Sequence, residues 1–179
     1  MIVFIDEVGF SFLARLGTTW APRAQPPILR RVGSQRRELS TIVGLSLSGR
    51  IHKQHFTKAI CAADVVMFLM HLLQQHRQRL IVVLDRAGIH TAGLVKDFLA
   101  AQAAVIAVEW LPRCAPELNP EEGCHGNVKT YLRNLAPRTG RVLRQYVDRG
   151  FARLRRRPDL ILAFFHHAGL TVKQLCKSL

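Results

Sequence analysis

The chain has 179 residues, enough for one domain with a substantial core, and 49% apolar against 21% charged residues excludes intrinsic disorder. The formal net charge of +14 is unevenly spread, +6 over residues 1–60, −2 over 61–128 and +10 over 129–179, as expected if an acidic site works on a polyanion held by basic surroundings. No segment approaches the roughly 18 apolar residues of a membrane span and no basic stretch precedes the opening apolar run, so a cytoplasmic protein without a membrane partner is expected.

"MIVFID" reads as a strand that ends on Asp6 and Glu7. Residues 7–38 read as an irregular or hairpin segment punctuated by Gly17, Trp20, Pro22, Pro26 and Pro27, with Trp20 expected in the core. "ELSTIVGLSLSGRIHKQHF" predicts strands over 39–47 and 50–56, turning at Ser48-Gly49. Apolar residues at 65, 66, 69, 72 and 73 have the period of a helix. The run "LIVVLD", residues 80–85, is too uniformly apolar for a half-exposed strand and predicts a central one, buried on both faces and ending on Asp85. A helix over 91–102 and a strand over 104–109 follow.

The proline-rich "LPRCAPELNP" then leads into a helix from residue 120, with Asn119 as N-cap, Pro120 in the first helical position and Glu122 at the capping-box offset. Two further helices, broken near Pro158, form a basic C-terminal section; the first carries apolar residues at 142, 143, 147, 151 and 154, and Arg141, Arg144, Arg149, Arg153, Arg155, Arg156 and Arg157 are expected to recur along that one helix. Strands followed by α/β alternation define the class as α/β. Cys61, Cys114, Cys124 and Cys176 lack metal-binding spacing and read as reduced thiols.

Asp6, Asp85 and Glu122 are the candidate site. Two strand-end acids converge beyond the carboxyl ends of a sheet if their strands are parallel neighbours. Their repulsion then calls for arginine or a hard divalent cation, Mg²⁺ or Mn²⁺ rather than zinc. Turn formation by the two aspartates and simple helix capping by Glu122 are the alternatives. Glu122-x-x-His125 looks like half of a di-iron helix motif, without a second copy. His52, His55, His71 and His76 form no coherent ligand set.

In order, "FIDEVGF", "TTWAPR", "VVLDRAGIH" and "LPRCAPELNPEEGCHGNVK" resemble the blocks of IS630-type transposases, relatives of the Tc1/mariner group with a DDE-superfamily endonuclease domain, over roughly residues 1–130. The resemblance implies an RNase H-like fold, a mixed β-sheet flanked by α-helices with its first and fourth strands side by side. It implies that Asp6, Asp85 and Glu122 are the catalytic acids and hold two Mg²⁺ ions, for which Mn²⁺ substitutes. Glu121 is the alternative third acid, and Glu7, Arg86, His90 and Asn119 are accessory candidates, His90 either positioning a phosphate or water or serving locally. Two positions depart from the family: Arg86 replaces the usual asparagine after the second acid, and His125 replaces a tryptophan. Arg86 is expected either to pair with the acids or to hinder the second ion.

The implied activity is DNA strand cleavage and strand transfer at insertion-sequence ends. It would act on terminal inverted repeats and a TA target, through a homodimer on DNA in the nucleoid. Residues 1–179 would be a single catalytic domain lacking the helix-turn-helix half that precedes it in the family. Arg30, Arg31, Arg36, Arg37, Lys129, Arg133, Arg155, Arg156 and Arg157 are candidate phosphate contacts, with a solvated basic surface as the competing view. An inactive remnant that binds DNA non-specifically, and an RNase H-like nuclease, stay open.

Overall fold

Alternation along the first strand divides the molecule into layers. A computed structural model describes residues 1–12, 17–28, 37–76 and 78–173. Its five strands, β1 (Ile2–Ser11), β2 (Arg37–Ser46), β3 (Ile51–Phe56), β4 (Leu80–Leu84) and β5 (Ile106–Trp110), lie in the order β3-β2-β1-β4-β5. β1, β2 and β3 are antiparallel, whereas β4 and β5 run parallel to β1, so the sheet is mixed. Gly49, at φ 77°, takes the left-handed conformation that closes the β2–β3 turn.

Five helices cover the sheet: α1 (Ala62–Gln75), α2 (Gly93–Ala101), α3 (Pro120–Tyr131), α4 (Gly140–Arg155) and α5 (Pro158–His167). Successive strand side chains point to opposite faces. Val3 and Ile5 accordingly pack with Phe68, Leu69, Leu72 and Val95 of α1 and α2. Phe4, Val8 and Phe10 join Cys124, Val128, Val147, Phe151 and Phe165 of α3, α4 and α5. Asp6 falls between Phe4 and Val8, so the pleat directs it toward the α3 layer.

The structure departs from the sequence reading in three places. β1 runs to Ser11, which puts Asp6 in mid-strand rather than at a strand end; antiparallel pairing with β2, from Asp6↔Val43 to Phe10↔Leu39, carries it onward. Trp20 is fully exposed instead of in the core. It lies on a segment tied down at Gly17, whose N–H donates to Asn134 Oδ1 (3.0 Å) and whose carbonyl accepts from Asn134 Nδ2 (3.1 Å). Third, α4 ends at Arg155, so Arg155, Arg156 and Arg157 do not continue one helix: Arg157 is already the N-cap of α5. Arg30, Arg31 and Arg36, the Arg37 side chain and Cys176 lie outside the described part. No helix among the described residues is long and apolar enough to cross a membrane.

Candidate active site

The sheet opens where β4 stops. Its ladder with β1 ends at Phe4↔Val83, while β1 continues alongside β2 alone. Extending that register by two residues brings Asp6 level with Asp85, and both face the α3 layer. The third acid comes from the start of α3, which the chain reaches through a short 3₁₀ turn at Pro116–Leu118. Asn119 caps α3 by accepting from the Glu121 N–H at 3.1 Å, and Pro120 occupies the first turn without needing a partner. Glu122 forms no capping box here, and its side chain is turned instead to the cavity.

Asp6, Asp85 and Glu122 line one open cavity of about 550 Å³, together with Arg86, Arg113 and Asn119. The Asp85 and Glu122 side chains are each 47% exposed and Asp6 16%, so all three can meet a solute. Glu121, the alternative third acid, is fully buried and belongs to the interior.

Asp6 is held by the Glu7 N–H on Oδ1 (2.8 Å) and by Asn119 Nδ2 on Oδ2 (3.3 Å). Burial raises its carboxyl to about 6, against the opposing pull of His125. Burial likewise raises Glu121 to about 7. Glu122 is held below its ordinary range, chiefly by the neighbouring His125. Burial works against charge on His125, yet Glu121 foremost, with Glu122 and Asp6, lifts it to about 10.

His90 is also fully buried. Nδ1 lies 2.6 Å from Asp85 Oδ1 and Nε2 lies 2.8 Å from Glu7 Oε1, and two carboxylate acceptors call for the doubly protonated ring. Burial opposes that charge, but Glu7 and then Asp85 outweigh it and raise His90 to about 9. Enclosed in this way, His90 joins Asp85 to the strand that carries Asp6. Glu7 is its second anchor.

Residues 1–143 match the DDE superfamily endonuclease family. The chain belongs to that family. Its fold is the RNase H-like fold of the Mos1 mariner transposase structures. The paired end complex with Mn is 21% identical with a TM-score of 0.70, covering 94% of this chain and 53% of that one. A pre-cleavage Mos1 transpososome is 19% identical at a TM-score of 0.67, with 96% and 57% covered. The isolated Mos1 catalytic domain is 19% identical at a TM-score of 0.56, with 96% and 84% covered. This chain therefore spans about half the length of the transposase in the paired end complex. Among curated proteins, none matches in sequence.

In this DDE domain Arg86 lines the cavity without forming an ion pair to the acids among the described residues. Nε donates to the Leu111 carbonyl at 3.3 Å, and the guanidinium lies 6.0 Å from the Trp110 ring centre. Arg113, which the sequence reading passed over, is on the cavity wall; only its place in the loop after β5 could have marked it. The basic candidates separate. Lys129 and Arg133 are exposed, and so is Arg156. Arg155 donates to the Ile51 carbonyl at 2.6 Å, and Arg157 forms a forked pair with Asp159. Outward arginines on α4, Arg141, Arg144, Arg149 and Arg153, add to the exposed basic surface. His55, left without a role by the sequence, is a buried link between Thr41 (2.8 Å) and Asp148 (3.0 Å), pinning α4 to the sheet.

Proposed function

We propose that this DDE domain is a transposase catalytic domain that cuts DNA at insertion-sequence ends and joins the freed 3′-hydroxyl to target DNA. The observation that carries this reading is the convergence of Asp6, Asp85 and Glu122, from two parallel strands and a helix start, on one solvent-open cavity. The donor set fits hard divalent cations, two Mg²⁺ or Mn²⁺, and ligand atoms of Asp6 and Glu122 already lie within 4.8 Å of each other. When bound, such ions supply Lewis-acid stabilisation of the attacking and leaving oxygens of a phosphoryl transfer.

The chain's own residues prepare the rest. Asp6 is costly to ionise in its half-buried setting, which favours a bound cation over an empty carboxylate pair. His90 fixes the Asp85 carboxylate, and Asn119 orients Asp6 while setting the start of α3. Arg86 and Arg113 bring positive charge to the cavity wall, where a scissile phosphate would sit.

The similar solved structures support the finer reading, since they include Mos1 paired end complexes with a transposon end, with Mn and with Mg, and a Mos1 strand transfer complex. By that likeness the substrates would be terminal inverted repeats and a TA target, bound by a homodimer in the nucleoid with an upstream helix-turn-helix half. Lys129, Arg133, Arg156 and the outward α4 arginines would meet the DNA backbone.

The test is Mg²⁺-dependent cleavage and joining on the element's terminal repeats, with the upstream half supplied. Asp6→Ala, Asp85→Ala and Glu122→Ala should each abolish both steps. Activity that survives Asp85→Ala sinks the proposal, and cleavage of RNA–DNA hybrid without joining would favour a nuclease instead.

A further inference from the structure

His125 lies beneath the acids on α3 with 2% of its side chain exposed. Its Nδ1 is 3.8 Å from Glu122 Oε2 and 3.9 Å from Asp6 Oδ2, too far for hydrogen bonds. Both separations nevertheless fall within the roughly 4.2 Å that two donors, each about 2.1 Å from a common ion, can span, and one ligand atom from each of the three residues lies within 4.8 Å of the others. We infer that His125 is a nitrogen ligand to one divalent cation of this site, sharing it with Asp6 and Glu122. The inference rests on the proposed carboxylate metal site and adds to it a donor of a different chemical kind.

Helical spacing supports the sharing. Glu122 and His125 stand three residues apart and therefore project from the same side of α3. Glu121, four residues before His125, meets the other ring nitrogen, Nε2, from behind. A carboxylate behind a metal-bound histidine fixes the ring's tautomer and orientation and raises its basicity. That role accounts for a carboxylate in a costly position: Glu121 is fully buried, with the His125 ring as its ion-pair partner. On binding, the Nδ1 proton leaves to solvent and its lone pair turns to the ion.

Affinity of nitrogen-containing sites rises along the first-row transition metals from Mn²⁺ toward Cu²⁺, whereas magnesium is a hard cation held by carboxylate and water oxygens. The site should therefore favour Mn²⁺ over Mg²⁺ more strongly than carboxylates alone would. The rival arrangement keeps His125 protonated as a fixed counter-charge that never touches the ion.

The experiment is pulsed electron paramagnetic resonance of Mn²⁺ bound to the 179-residue chain, prepared with ¹⁴N- or ¹⁵N-labelled histidine. Expected is a directly coordinated nitrogen whose modulation changes with the label in the unmutated chain, so that no variant has to fold. His125→Gln should remove the signal and weaken Mn²⁺ binding by on the order of tenfold or more, with a smaller loss for Mg²⁺. A label-dependent signal that persists in folded His125→Gln would overturn the inference. So would Mn²⁺ binding that requires Asp6 but gives no nitrogen coupling, while leaving the carboxylate site standing. Mn²⁺ binding indifferent to both Asp6→Ala and Asp85→Ala would overturn the carboxylate reading itself.

Discussion

Asn119 donates its side-chain amide to Asp6 at 3.3 Å while its amide oxygen caps α3, so one side chain ties the acid of β1 to the helix that carries Glu122. The two functions are separable. Asn119→Ala should lose both and cost about 0.5–2 kcal/mol of stability, the usual range for a lost N-cap. Asn119→Asp keeps a capping oxygen but sets a like charge against Asp6 in place of a donor. It should therefore retain more of the stability in urea denaturation than the alanine variant and still impair cleavage. Equal stability losses in the two variants would show that the cap is not what Asn119 contributes.

Above pH 6.5, where the partly buried histidines His52, His55 and His76 are neutral in both folded and unfolded chains, the metal-free protein should lose stability as pH rises. Asp6 and Glu121 are raised to about 6 and 7, and His90 and His125 to about 9 and 10, so the folded state holds protons that the unfolded chain has released. For the histidines, the stabilisation is complete below their ordinary value near 6.5 and is lost as pH climbs through the raised one. For the two acids, the cost of ionising in place enters as pH climbs from about 4 through their raised values. Both effects have the same sign, and each full extra proton on the folded state lowers stability by about 1.4 kcal/mol per pH unit. Urea denaturation with a chelator at pH 6.5 and pH 9 measures this. His90→Gln should flatten the slope between pH 6.5 and 9, and saturating Mn²⁺ should stabilise more at the higher pH.

What the sequence could and could not reveal follows from the range of each signal. Apolar runs and the Asn119-Pro120 start are local, so the elements carrying Asp6, Asp85 and Glu122 were legible, although β5 and α2 each begin two residues later than their patterns suggest. That Asp6 sits in mid-strand was not legible, because β1 is carried past it by antiparallel pairing with β2, a partner distant in sequence. Helical spacing paired His125 with Glu122, but Asp6 is over a hundred positions away and only the packing of α3 on β1 brings it near. Periodicity likewise assigned a face to α4 without revealing that Arg155 reaches a carbonyl of β3.

Salt dependence should divide the three arginines that the sequence grouped together. Arg156 is exposed and has no ion pair among the described residues, whereas Arg157 is engaged by Asp159 and Arg155 by the Ile51 carbonyl. If this surface meets DNA phosphates, Arg156→Ala should reduce the slope of log binding constant against log salt by about 0.9, equally for all duplex sequences. Arg157→Ala should change the slope less, because its charge is already partly met. Arg155→Ala should appear first as lost stability, since it frees the contact between the end of α4 and β3. An unchanged slope in Arg156→Ala would remove this turn from the DNA surface.

Gly123 of α3 faces the Phe164 side chain of α5. A Cβ added there would stand 2.5 Å from Phe164 Cγ and 2.6 Å from Cδ1, separations that cannot be occupied without moving the ring or the helix. In an unobstructed helix, replacing glycine with alanine gains up to about 1 kcal/mol. Here overpacking, typically about 1–3 kcal/mol, should exceed that gain and make Gly123→Ala destabilising. The effect should reach the site, because Glu122 is the preceding residue and lines both the acid cavity and a second cavity walled by Phe164 and His167. Displacing α5 should thus weaken Mn²⁺ binding as well as lower the urea midpoint. Phe164→Leu offers a smaller, more adaptable side chain at the point of conflict. In the Gly123→Ala background it should recover part of both losses, whereas alone it should cost stability through lost packing in the core. Additive losses in the double variant, with no recovery, would mean that contact with Phe164 is not why glycine is needed at this position.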